Sequence, residues 1–69
     1  MNLDKLKGKL TEKHMTYEQL AIKIGIGYRT LCYKMNSGKF TVSEAERISI
    51  ALNLSFDEFL GIFFPNLVA

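Results

Sequence analysis

The sequence has 69 residues, 48% of them apolar and 23% charged, with net charge +2, one cysteine, one histidine and no tryptophan. That is enough for one small folded domain over residues 1–69 and too short for a second. One cysteine excludes an internal disulfide and points to a reducing cytosol, His14 and Cys32 are too few soft ligands for a structural zinc, and no run of about 18 apolar residues is present to span a membrane.

Strand signals are missing, since neither alternating β-branched residues nor an Asn-Gly or Asp-Gly turn occurs. Helix starts recur instead. Thr16 to Gln19, Thr41 to Glu44 and Ser55 to Glu58 each place a hydroxyl three residues ahead of a Gln or Glu. In that arrangement the two side chains satisfy each other's backbone amides and open a helix. The first helix is predicted from near Asn2 to about Lys13, with Leu3, Leu6 and Leu10 on one face. Gly8 weakens it by about 1 kcal/mol relative to alanine. The second runs from Thr16 to Ile24, burying Leu20, Ala21 and Ile24, and Gly25 supplies the left-handed residue that ends it. The third runs from about Tyr28 to Met35, with Leu31 and Met35 inward and Asn36-Ser37-Gly38 closing it. The fourth spans Val42 to Leu52, with Ala45, Ile48, Ser49 and Leu52 inward. The fifth runs from Phe56 to about Phe63 and stops before Pro65, burying Phe56, Phe59 and Leu60, with Phe63 open between core and surface. The expectation is an all-α, compact five-helix fold.

Only Gly25-Ile26-Gly27 separates the second helix from the third, which forces a sharp crossing. Ala21 lies where the third helix passes over the second, and Ile26 is the apolar plug under the turn. A small residue, a glycine four later and then an apolar residue is the spacing of a DNA-binding helix-turn-helix, here over about 16–36. Residues 16–60, TYEQLAIKIGIGYRTLCYKMNSGKFTVSEAERISIALNLSFDEFL, resemble the lambda-repressor/Cro-like (Xre-class) domain of phage and bacterial regulators. The resemblance rests on Leu20-Ala21, Gly25-Ile26, Thr30-Leu31, Asn36, Gly38, Glu44-Ala45, Ile48, Leu52-Asn53-Leu54 and the Ser55 opening of the fifth helix.

Charge is divided unevenly along the chain. Residues 1–39 hold eight cations and three anions, net +5, and residues 40–69 hold one cation and four anions, net −3. A basic working end facing an acidic, apolar end suits a polyanion such as DNA. At about 100° per residue, Tyr28, Arg29, Cys32, Tyr33 and Asn36 share one arc of the third helix, opposite Leu31 and Met35. Tyr28, Arg29, Cys32 and Tyr33 are the candidate base contacts, with Arg29 suited to a bidentate pair with guanine. The resemblance implies that Tyr17, Asn36, Ser37 and Lys39 touch phosphates, positioning the domain without specifying a sequence. Three positions depart from the family pattern. Tyr17 stands where glutamine is common, Gly27 where serine often caps, and Lys34 where an apolar residue is usual, its ammonium expected to snorkel outward.

On the other surface, Ile22 and Ile50 point away from their helices' core faces. The tail 61–69 carries Ile62, Phe63, Phe64, Leu67 and Val68, more than a small core is expected to bury. Ile22, Ile50, Ile62, Phe63, Phe64 and Leu67 are therefore the candidate partner interface. The reading is a sequence-specific transcriptional regulator of the phage repressor/Cro type, acting on a double-stranded DNA operator in the host cytosol as a homodimer or as a heteromer with another phage regulator. Ending at residue 69, it is expected to be without the peptidase-like domain of full-length repressors. The alternative is an antirepressor that complexes another helix-turn-helix repressor. No Ser/His/Asp set, phosphate-cradling glycine loop or carboxylate pair can be assembled, so neither catalysis, a small-molecule substrate nor a cofactor is expected.

Overall fold

Side-chain caps open four of the five α-helices that the computed structural model describes over residues 1–67. The helices are α1 (Leu3–Glu12), α2 (Tyr17–Ile24), α3 (Tyr28–Ser37), α4 (Val42–Ala51) and α5 (Phe56–Phe63), followed by a 3-10 turn at Pro65–Leu67. All three reciprocal caps form. Thr16, Thr41 and Ser55 accept from the amides of Gln19, Glu44 and Glu58, whose side chains accept from the cap amides in return. Asn2 caps α1 in the simpler way, accepting from the Lys5 amide at 3.1 Å. Only α3 begins without a side-chain cap, because Gly27 has no side chain to offer.

Leu6 and Leu10 of α1, Leu20, Ala21 and Ile24 of α2, Leu31 and Met35 of α3, and Ala45 and Ile48 of α4 form one buried cluster with Leu52. The positions recur every three or four residues, the stripe that an amphipathic helix turns inward. α2 sits centrally and packs on both α3 and α4. α1 lies antiparallel to α5: the Asn2 amide donates to the Ile62 carbonyl at 2.6 Å, and Lys9 pairs with Glu58 further along. Among the described residues there is no strand, as the five-helix reading requires.

The last helix departs from its expected burial. Phe56 is 72% exposed, whereas Ile62 and Phe63, expected on an outer patch, are 1% and 8% exposed. The inward stripe of α5 is centred near Phe59, between Ile62 and Phe63, and leaves Phe56 at its edge in the first turn. Aromatic contacts hold this end: Phe63 meets Phe40 edge-on at 6.2 Å, and Phe59 lies 5.4 Å from Phe63 and 5.8 Å from Phe64. Phe59 and Leu60 are half-buried rather than central. Ile62 and Phe63 thus belong to the protein's own core and are lost to any partner; Phe64 is half-buried, and of the tail's described residues Leu67 stays open at 74%. Val68 lies outside the described residues.

Two smaller differences concern α3. It continues two residues beyond Met35, because Gly38, at φ 71°, supplies the left-handed turn and donates to the Lys34 carbonyl at 2.8 Å. Asn36 and Ser37 are thereby helical. The Lys34 ammonium does not simply reach water: it pairs with Glu44 of α4 at 3.0 Å, both side chains mostly buried.

Candidate nucleic-acid interface

The geometry of the interface starts at Gly25. Its φ of 78° ends α2, and its amide donates to the Ala21 carbonyl at 2.9 Å. A left-handed residue is nearly free for glycine and costs other residues about 1–2 kcal/mol. Ile26 donates to the same Ala21 carbonyl at 3.1 Å and packs half-buried on the core, as a plug beneath the turn should. Ala21, 2% exposed, lets α2 and α3 cross closely.

α3 is anchored by Leu31 and Met35, 0% and 1% exposed, which fixes what its other side presents. Tyr28 is 50% and Tyr33 66% exposed; Arg29 and Asn36 are open, and Cys32 is half-buried between them. No acidic residue occurs anywhere in α3. The Tyr28 phenol is held above its ordinary value, first through hydrogen bonding with the Cys32 side chain one turn along, then by Glu18 and Tyr17 of α2. It therefore stays a protonated donor.

The flanking candidates are placed differently from one another. Tyr17, first residue of α2, is half-buried with its ring against the core. Ser37 and Lys39 are open at the far end of α3, where the Ser37 hydroxyl accepts from the Lys39 amide at 3.4 Å. Lys39 is a cation beside the C-terminal end of α3, and Arg29 is a cation in its first turn. Such a face can donate to phosphate oxygens from its Lys39 end and offer Arg29 and the tyrosines to base edges.

The basic and acidic halves of the sequence are not two ends of the molecule, contrary to expectation, because α1 lies along α5 and Lys34 reaches α4. Lys9 pairs with Glu12 and Glu58, and Lys34 with Glu44, so two of the cations are neutralised internally. Arg47 has a role that sequence spacing did not reveal. From α4 its guanidinium donates to the Ile24 carbonyl at 3.3 Å, bracing the last residue of α2 behind the turn. A lone cation in an acidic stretch was its only trace.

Among the described residues, no helix is long and apolar enough to cross a membrane. Comparison with curated proteins and with solved structures finds no match. The family described as the Cro/C1-type HTH DNA-binding domain matches residues 5–64, from the first turn of α1 to just past the end of α5. A helix-turn-helix of this kind binds double-stranded DNA and serves transcription regulation. With the pivot at Gly25, the close crossing at Ala21 and the polar outer face of α3 in place, the chain belongs to the Cro/C1-type helix-turn-helix DNA-binding domain family.

Proposed function

We propose that the protein is a sequence-specific transcriptional regulator of the phage repressor/Cro type, which occupies an operator in the cytosol and controls its promoter sterically. The observation that carries this reading is the outer face of α3. It exposes Tyr28, Arg29, Tyr33 and Asn36 while Leu31 and Met35 lock the opposite side into the core. Arg29 pairs with guanine, Tyr28 and Tyr33 bond phosphate or pack on thymine methyl groups, and Cys32 is small enough to let α3 approach. Tyr17, Asn36, Ser37 and Lys39 hold the flanking phosphates. Selection from random-sequence duplexes tests the reading. A recurrent motif supports it, and enrichment of none contradicts it.

A second reading has its own observation. Ile22 and Ile50 are 81% and 77% exposed, on α2 and α4. They fit an antirepressor that complexes another helix-turn-helix regulator. Light scattering of the protein mixed with a repressor of the same helix-turn-helix family separates the two readings. A tight heteromer without DNA affinity favours the antirepressor; DNA binding without a heteromer favours the regulator.

A further inference from the structure

α2 and α4 pack on each other, and an open groove of about 360 Å³ is lined by both. Lys23 of α2 lies on one side of it, and Arg47, Ile50 and Ala51 of α4 lie on the other. Both cations are exposed, and among the described residues neither enters an ion pair. No carboxylate lines the groove. One guanidinium nitrogen of Arg47 is committed to the Ile24 carbonyl, which holds the head in place while its other N–H groups remain to donate elsewhere. Ile50 is 77% exposed, and Ala51 beside it is half-buried against the core.

These walls narrow what fits. Two cations of fixed position favour a carboxylate or a phosphate. A nucleic-acid backbone would satisfy Lys23 and Arg47 and leave Ile50 in water, because its outer surface is charged and polar. A protein segment brings both a carboxylate for the cations and an aliphatic side chain for Ile50. Its form follows from the same walls. Extended segments dock by adding a strand to a sheet edge, and the described residues contain no strand to extend. A helix satisfies its own backbone and lays side chains at i, i+3 and i+4 into a groove between two others.

We propose that the α2/α4 groove docks an acidic amphipathic helix of a partner protein. Its apolar stripe lies on Ile50 and Ala51, and its flanking carboxylates meet Lys23 and Arg47. Charge of one sign on the groove orients such a helix and rejects basic ones, while the apolar contact holds it. The groove shares no residue with Tyr28, Arg29, Cys32, Tyr33 or Lys39, so partner and DNA do not compete for side chains. Ile50 also enters the antirepressor reading, but here the partner need not be a repressor.

Selection from a display library of helical peptides of about 18 residues tests it. The library fixes an apolar stripe and leaves the flanking positions free to be Glu, Gln or Lys. Glutamate is expected to be enriched there. Ile50→Asn and Lys23→Glu are each expected to weaken the enriched peptide by about tenfold, with helix content unchanged by circular dichroism. A peptide with its glutamates changed to lysine is expected to recover binding to Lys23→Glu. Ile50→Asn is expected to bind a selected DNA duplex within about twofold of the wild type. No enrichment, enrichment of lysine, or a peptide indifferent to both substitutions overturns the proposal. Loss of duplex binding by Ile50→Asn also overturns it, because the groove then serves DNA. A protein that binds the peptide and no repressor counts against the antirepressor reading and leaves the groove's ligand standing.

Discussion

The guanidinium of Arg47 donates to the carbonyl of Ile24 at 3.3 Å, joining the middle of α4 to the last residue of α2 just before the chain reverses at Gly25. A helix leaves its final carbonyls without partners, and a cation at that end satisfies one while complementing the helix dipole. α4 thereby steadies the pivot from behind, on the side away from the outer face of α3. Arg47→Met keeps most of the stem and removes the donor. It is expected to lower unfolding free energy by about 1 kcal/mol in urea titration, with the slope unchanged. An unaltered midpoint contradicts the bracing role.

Gly25 and Gly8 answer the same substitution in opposite directions. At Gly25 no atom lies within 4 Å of where a Cβ would stand, so space is not the obstacle; the φ of 78° is. Gly25→Ala is expected to cost about 1–2 kcal/mol. Gly8→Ala, in an ordinary helical conformation, is expected to add about 1 kcal/mol to the stability of the isolated chain. Thermal melts at high dilution distinguish the two.

Acid should destabilise the protein through its carboxylates. The Lys9 ammonium, with the Ser55 amide and hydroxyl, holds the Glu58 carboxyl down to about 2 from an ordinary value of 4.5. Burial pushes Glu44 up, but the Thr41 amide and hydroxyl and the Lys34 ammonium outweigh it and leave that carboxyl lowered as well. A folded carboxyl that binds its proton more weakly than the unfolded one stabilises fully above the ordinary value, and this is lost as pH falls through the folded one. The melting temperature is therefore expected to hold between pH 7 and about 5, then fall steadily toward about pH 2. Lys9→Met should flatten that fall by restoring Glu58 toward its ordinary value. An identical profile in the variant contradicts the assignment.

Much of this architecture was legible in the residues. Thr16, Thr41 and Ser55 marked three helix starts because a cap is a local event, decided within four residues. Gly25 marked the pivot because few other residues take its φ. What escaped was tertiary. The alternation of phenylalanines in α5 is compatible with several rotations about its axis, and only the placement of Phe40 and the tie from Asn2 to Ile62 chose the one that buries Ile62 and Phe63 and exposes Phe56. The partners of Lys34 and Arg47 lie on other helices, so no spacing rule names them. Tyr28, Arg29, Tyr33 and Asn36 reached the outer face as their angles required, since Leu31 and Met35 on the same helix settle the matter.

Arg29 and Lys39 are expected to fail in different ways. Arg29→Ala should lower affinity by about 1–3 kcal/mol and relax preference at one base position, whereas Lys39→Ala should weaken all duplexes alike and reduce the salt slope by about one. Binding of each variant to a panel of single-base-changed duplexes, repeated over a salt series, checks both. Uniform loss for Arg29→Ala contradicts its role as a reader of sequence.

The central claim is that α3 reads DNA through its outer face, and fluorescence anisotropy of the wild type on a selected duplex and its scrambled counterpart tests it most directly. Near physiological salt the selected duplex is expected to bind at least about a thousandfold more tightly, with the scrambled one weak and steeply salt-dependent. Equal, weak affinity for both would contradict it.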